Sequence, residues 1–445
     1  MKVLIKNGLV INPKTKFNKK ANIVIEAHNE NSKISSINDK EIKDYDHMID
    51  VSGMIVSPGF VDIHTNFCEP GFENKENLKT GCMAAAKGGY TSIVLGTDMK
   101  PLPCQVNVID KIKSKQPLLP NTIYTTCTIT NEKENEELSP FSFLKLHGAV
   151  GAFEGNIGVG NEALIDEAIK LCKNINFPIS FYPENIPEIA DEDYDIPTLS
   201  KVLKSRGINP GPTAEKLGID ALPVEREVYA VANILEKVLK YQNNRVELAH
   251  ISSKDSIEII EKARKNGMKF YVSVPILNTF FSDKALAKIG TNAKLLPPLR
   301  AETDRKLIIQ ALKNNIIDII TSNHTPCLHN EKTETFDKAA PGNITIEFVL
   351  GICGTKLVKD NGFTWDQIIE KLSVKPAEFY GLNAGDLSVG KPADLTIFDP
   401  NEDWTVETTE IKSKSKNTAL LKQKLHGKVK YTVARGKLIY KDINN

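Results

Sequence analysis

A (β/α)8 barrel with a small accessory β domain is the fold class that this sequence predicts, and three observations predict it. The chain has 445 residues, too many for one small domain. Apolar, β-branched runs alternate with helix-like stretches from residue 60 to residue 321 and fill eight strand slots. Both ends of the chain instead carry short strands separated by turn residues. A doubly wound open sheet also fits the alternation and stays open as the alternative.

The elements follow in order. Residues 3–5, 9–11 and 23–25 read as strands, broken by Asn-Gly, Asn-Pro and lysine-rich turns. Residues 28–50 are polar and read as surface. Met54-Ile55-Val56 leads through Ser57-Pro58-Gly59 into the first barrel strand, 60–64. Residues 79–87 read as a helix that stops at Gly88-Gly89, and 91–95 is the next strand. Strands at 123–129, 149–153 and 179–182 follow, with an acidic, solvated stretch at 131–139. Residues 183–215 break the rhythm: five prolines and mixed charge suggest a long excursion over the barrel mouth. A helix at 224–240 precedes strands at 246–250, 270–274 and 316–321. Short strands return at 394–398, 428–434 and 437–440. The expected division is a barrel over 58–383 and a small β-sandwich domain built jointly from 1–57 and 384–445. No internal repeat or low-complexity tract interrupts it.

Composition narrows the function. Lys and Arg number 57 against 56 Asp and Glu, so the net charge of +1 argues against a nucleic-acid binder with a strongly basic surface. No apolar run reaches the roughly 18 residues of a membrane helix. The basic N-terminus loses its apolar run at Lys6, Asn7 and Gly8, unlike a signal peptide, so a cytoplasmic protein is expected. Seven cysteines without a CxxC pair read as reduced thiols.

Barrel enzymes place reacting groups at the C-terminal ends of their strands. Asp62, His64 and Asn66 alternate along the first such end and share one side. His64 reads as a hydrogen-bonded pocket residue or as a ligand, and Asn66 beside it is a weak partner for zinc. His250 ends a later strand, and His324 follows the last one in Ser322-Asn323-His324-Thr325-Pro326. Asp98, Glu154, Tyr182 and Glu184 also lie just past apolar strands. These groups converge either as a metal site or as polar strand ends bonded to their loops; spacing leaves both open. Cys68 and Cys327 read as thiols in a pocket wall. The glycines of 151–160 lack the Gly-Lys-Ser/Thr of a phosphate loop, and there is no GxGxxG or GxSxG.

The run Pro58-Gly59-Phe60-Val61-Asp62-Ile63-His64 resembles the opening barrel strand of the amidohydrolases. Glu69-Pro70-Gly71, Lys75-Glu76, Thr80-Gly81 and Ala84-Ala85-Ala86-Lys87-Gly88-Gly89-Tyr90-Thr91 are similar to the dihydroorotase branch. So are His250-Ile251-Ser252-Ser253, Pro297-Pro298-Leu299-Arg300 and Asn323-His324-Thr325-Pro326. Gly390-Lys391-Pro392-Ala393-Asp394-Leu395 and Gly427-Lys428-Val429 extend the likeness, in order, over nearly the whole chain. The resemblance implies metal-dependent hydrolysis of a cyclic amide, interconverting dihydroorotate and carbamoyl aspartate, with an aspartate on the last strand moving the proton.

The departures from the family pattern are specific. Its His-x-His is His64-Thr65-Asn66 here, and its mid-barrel Asp or carboxylated Lys falls near Glu154. Its His-Ala-Glu-Asp is Tyr182-Pro183-Glu184-Asn185, its later histidine is kept as His250, and its proton-transfer aspartate is Asn323. An amide has no useful pKa for a general base. The substrate-clamping Arg is Cys68, two asparagines are Asp98 and Leu296, and a histidine is Cys327. His64, Glu154 and His250 are thus the residual metal candidates, and Cys68, Asp98, Leu296 and Cys327 the expected pocket wall.

The resemblance therefore implies a catalytically degenerate dihydroorotase-like protein with no cofactor. It resembles the inactive subunits that hold aspartate transcarbamoylase in a stable assembly in some bacteria. A homo-oligomer or a complex with that enzyme is expected, with neither nucleic acid nor membrane as partner. The alternative is a cyclic amidohydrolase that binds zinc through His64, His250 and Glu154, or through thiolates including Cys68 or Cys327. A third reading is true activity on dihydroorotate, and a last one is a binding protein whose vacated pocket, with Asp98, Glu154 and Glu184, favours a cationic or hydroxylated ligand.

Overall fold

The computed structural model describes residues 1–26, 32–184, 207–219 and 221–442. Most of the excursion expected at 183–215, and residues 28–31 of the polar stretch, lie outside the described residues.

β1 (Lys2–Asn12) is one strand where two were expected. Its register against β2 (Phe17–Glu26) shifts between Ile5 and Gly8, where Asn7 sits at φ 68, so the intervening turn signal is a bulge. β3 (Lys33–Asn38) and β4 (His47–Asp50) fall in the stretch read as plain surface. Only Ile34 of these two strands is buried, which is too sparse an apolar pattern to announce them. β5 (Ile55–Pro58) then delivers the chain to the barrel.

The barrel strands are β6 (Phe60–Thr65), β7 (Tyr90–Leu95), β8 (Thr122–Cys127), β9 (Ala149–Phe153), β10 (Ile179–Phe181), β11 (Val246–Leu248), β12 (Tyr271–Pro275) and β13 (Ile319–Thr321). They pair in parallel and in sequence order, and a bridge between Thr65 and His324 brings the last end to the first. Sequential order without a reversal selects the barrel over the doubly wound sheet. Every residue of β6 and β7 is buried, as parallel strands covered on both faces require. The helix Val224–Tyr241 covers the outside with Ala230, Val231, Ile234, Leu235 and Val238 at helical spacing. Several strands end earlier than expected because the segments after them, such as 249–252, turn inward at the mouth.

β14 (Leu395–Thr405), β15 (Lys424–Ala434) and β16 (Lys437–Lys441) return to the N-terminal strands. β14 pairs antiparallel with β5, joining both chain ends in one sheet of order β16-β15-β14-β5-β1-β2-β3, with β4 on β1. Ile5, Val10, Ile23, Val56, Leu395 and Ile397 belong to a core that this β unit keeps to itself.

Between β14 and β15 the chain crosses the barrel rim. Ile411, Ser413, Ser415 and Asn417 are buried, while Lys412, Lys414 and Lys416 between them are exposed. Glu347 accepts the amides of Lys412 (2.9 Å) and Ser413 (2.8 Å), and Glu76 accepts that of Lys414 (3.1 Å). Among the described residues no helix is long and apolar enough to cross a membrane.

Candidate functional site

The barrel centre holds two imidazoles and a carboxylate. His64 ends β6 and His250 lies just past β11, at φ 61, a strained value for a residue with a side chain. Their ring centroids are 4.6 Å apart. Glu247, within β11, places both carboxylate oxygens 3.0 Å from His64 Nε2. A carboxylate only accepts, so Nε2 carries a proton in these bonds. The Ser180 hydroxyl on β10 donates to Glu247 Oε2 at 2.5 Å. Burial alone would raise the Glu247 carboxyl. The charge and hydrogen bond of His64, with the Ser180 and Ser273 hydroxyls, hold it below the usual carboxylate range. Burial, and then the neighbouring His64, drive His250 well below the usual imidazole range, so it stays neutral.

Aromatic rings fill the space around this pair. Phe153, the last residue of β9, has its ring 4.4 Å from His64 and 6.3 Å from His250. Tyr182 lies 6.2 Å from His250 and joins Phe153 and Ala249 in a small apolar cluster. His64 Nδ1 and both ring nitrogens of His250 have no hydrogen-bond partner among the described residues.

Glu154 turns the other way. Its Oε2 accepts the amides of Ile129 (2.7 Å) and Thr130 (3.1 Å), and Oε1 accepts the Thr130 hydroxyl. Burial raises this carboxyl above its ordinary range, against the pull of Lys133 and of these bonds. The expectation that Glu154 supplies a third ligand beside His64 and His250 thus meets a carboxylate already spent on the end of β8. Neighbours along an extended chain face opposite sides, and Phe153 takes the inward one.

A catalytic zinc normally takes three protein ligands. Among the described residues no group of three or more His, Cys, Asp or Glu is placed to hold a metal ion. Burial, with the Asp98 charge beside it, pushes the Cys68 thiol above its usual range, and burial raises Cys327 to about 11. Neither is poised as a thiolate. The described residues do not fit the metal centre that the resemblance implies.

His324 does not join the pair. Its Nδ1 accepts the amides of Thr345 (3.1 Å) and Ile346 (3.4 Å), and its Nε2 lies 3.8 Å from Glu76, the carboxylate that grips the crossing segment. Asp62 shares the side of His64 but is taken up by the Thr65 hydroxyl and by the hydroxyl and amide of Ser322 (amide 3.2 Å), which fastens β6 to the end of β13.

Above the strand ends a cavity of about 340 Å³ opens, and Asp98, Leu296 and Asn323 are among the residues that line it. Cys68, Cys327, His64 and His250 are not part of its walls. Asn323, at φ 47, donates to the Leu296 carbonyl (2.7 Å). Lys75 on the wall is paired with Glu331 at 2.8 Å. Sequence reasoning missed Glu247 and Phe153. An acid between Val246 and Leu248 in an apolar strand was the available signal for the first, since a buried charge needs a partner.

Residues 53–186 match the family model described as dihydro-orotase-like, and residues 230–439 match that of the amidohydrolase family. The chain is 35% identical over 440 residues to a dihydroorotase of Clostridium acetobutylicum, covering 99% of this chain and 100% of that protein. It is 33% identical over 438 residues to a dihydroorotase of Clostridioides difficile, covering 98% and 99%. Among solved structures, L-hydantoinase (dihydropyrimidinase) from Arthrobacter aurescens superposes with a TM-score of 0.85 at 20% identity, covering 99% of this chain and 96% of that one. Dihydropyrimidinase from Brevibacillus agri superposes with a TM-score of 0.83 at 22% identity, covering 99% and 95%. At such identities these two speak for the fold alone.

Proposed function

The chain belongs to the dihydroorotase family of amidohydrolases, and from that premise we propose that it has lost the hydrolysis of dihydroorotate. On this reading it serves pyrimidine biosynthesis as a structural or regulatory partner of aspartate transcarbamoylase. The observation that carries the reading is the barrel centre. Two imidazoles remain, Phe153 packs on His64 at 4.4 Å, and the acid that follows it is bonded to backbone amides. The rest of the machinery agrees. Asn323 offers no proton-transfer group. Among the described residues Lys75 is the one lysine in the cavity wall and is already paired with Glu331, so an anionic substrate finds no free cation in that set and meets Asp98. The chain aligns end to end with its relatives, so the loss proposed here is one of a few pocket side chains and not of the fold.

The test is light scattering of the full chain mixed with aspartate transcarbamoylase from the same cell, alongside an assay for dihydroorotate turnover. A stable hetero-complex without turnover is expected. Chelator-sensitive turnover, or the absence of any complex at micromolar concentration, would refute the reading.

A second reading, a cyclic amidohydrolase with a reduced ligand set, draws on one observation. His64 Nδ1 and the His250 nitrogens are buried without a protein partner among the described residues. Buried polar atoms seldom stay unpaired, so a ligand there would be accommodated. The reading then requires a third donor from outside the described set.

A further inference from the structure

We propose that the cavity at the barrel mouth binds a small organic cation, an ammonium or guanidinium carried on a compact apolar body. This rests on the reading that the cyclic-amide reaction is gone, which frees the cavity for another ligand.

Charge is the first argument. Asp98 lines the cavity with its side chain 41% exposed, and the cation beside it is Lys133, 3.8 Å away. Lys133 also acts on buried Glu154, so one lysine serves two carboxylates. The other lysine at the cavity, Lys75, is paired with Glu331 at 2.8 Å. Lys133 thus stands against two carboxylates, of which only Asp98 lines the cavity, whereas Glu331 there has Lys75 as its own partner.

Hydrogen-bonding capacity points the same way. Asn323 spends its Nδ2 on the Leu296 carbonyl at 2.7 Å, while its Oδ1 has only a long contact, 3.5 Å, from Asn156. Asn323 and Asn156 both line the cavity. Asn278, also on the wall, has a buried Oδ1 with no partner among the described residues, and these two acceptors suit a ligand that donates. Ile157, Leu277, Leu295 and Leu296 give the remaining wall an apolar character. Among the described residues no three His, Cys, Asp or Glu side chains are placed to hold a metal ion, whereas an amine on an apolar body uses both kinds of surface.

The test is isothermal titration calorimetry of the full chain near neutral pH with three probes on one skeleton: cyclohexylamine, cyclohexanol and cyclohexanecarboxylate. The amine is expected to bind about tenfold or more tightly than the alcohol, with the carboxylate weakest, because the charge-assisted bond to Asp98 sets the order. Asp98→Asn should remove the advantage of the amine over the alcohol, and Asn156→Asp should increase it. Absence of amine binding, equal binding of all three probes, or an unchanged preference in Asp98→Asn would overturn the proposal. Dihydroorotate turnover assayed on the same sample separates the two ideas. Turnover would overturn the loss of the reaction whatever the amine does. No turnover together with no amine binding would overturn this site alone.

Discussion

Phe153 and Glu154 are adjacent in the chain and opposite in consequence. One ring lies against His64, while the carboxylate next to it is bonded to the Ile129 and Thr130 amides. A sequence places both at the end of an apolar run, but only the register of β9 decides which of the two faces the histidines. That is why His64 and His250 were legible as strand-end residues and the failure of a third ligand to join them was not. Glu247 was hidden for a related reason: its charge sits inside a strand, where only its neighbours across the barrel reveal its partner. Phe153→Ala should cost about 3–5 kcal/mol, because the barrel strands that hold the ring cannot collapse into the space it leaves. It should leave zinc content unchanged, since removing a ring adds no donor. Denaturant melts and elemental analysis of the variant check both halves.

At the scale of elements, the segment between β14 and β15 ties the β unit to the cavity rim. Its inward side chains are mostly Ser and Asn, so no apolar pattern marked it. Its burial is set by the carboxylates of Glu76 and Glu347, distant in sequence, and by Asn417 Oδ1, which accepts the Cys327 amide at 3.0 Å. Glu347→Ala leaves two backbone amides without their acceptor and should cost about 2–3 kcal/mol. Hydrogen exchange should quicken at Lys412 and Ser413 while the barrel strands stay protected. Asp394, at the start of β14, gives the β unit a pH signature. Burial raises its carboxyl from 3.8 to about 6, against the bond it accepts from the Arg435 amide at 2.6 Å. An acid raised on folding contributes stability below its unfolded value and loses it as pH rises through its folded one. Asp394→Asn, neutral throughout, should therefore be more stable than the parent by up to about 3 kcal/mol near pH 7, with the gap closing towards pH 4. Urea melts at the two pH values measure it. The strands flanking this region were legible because their apolar runs are dense, whereas β3 and β4 have almost no buried side chains to show.

For the whole molecule, the alternation of strands and helices marked the barrel, and the strand-rich ends marked the β unit that joins them through β5 and β14. Those features are repeated over many residues, so single substitutions do not erase them. A metal centre depends instead on a few side chains, and among the described residues no group of three metal-type side chains is brought together. Under the proposed function this barrel persists without a working metal centre. The most direct test is elemental analysis of the full chain, purified without chelators, supplied with zinc and desalted. The account predicts well below one ion per chain, because two imidazoles without a third donor do not retain zinc through desalting. About one ion per chain, removable by chelator together with turnover of dihydroorotate, would contradict it.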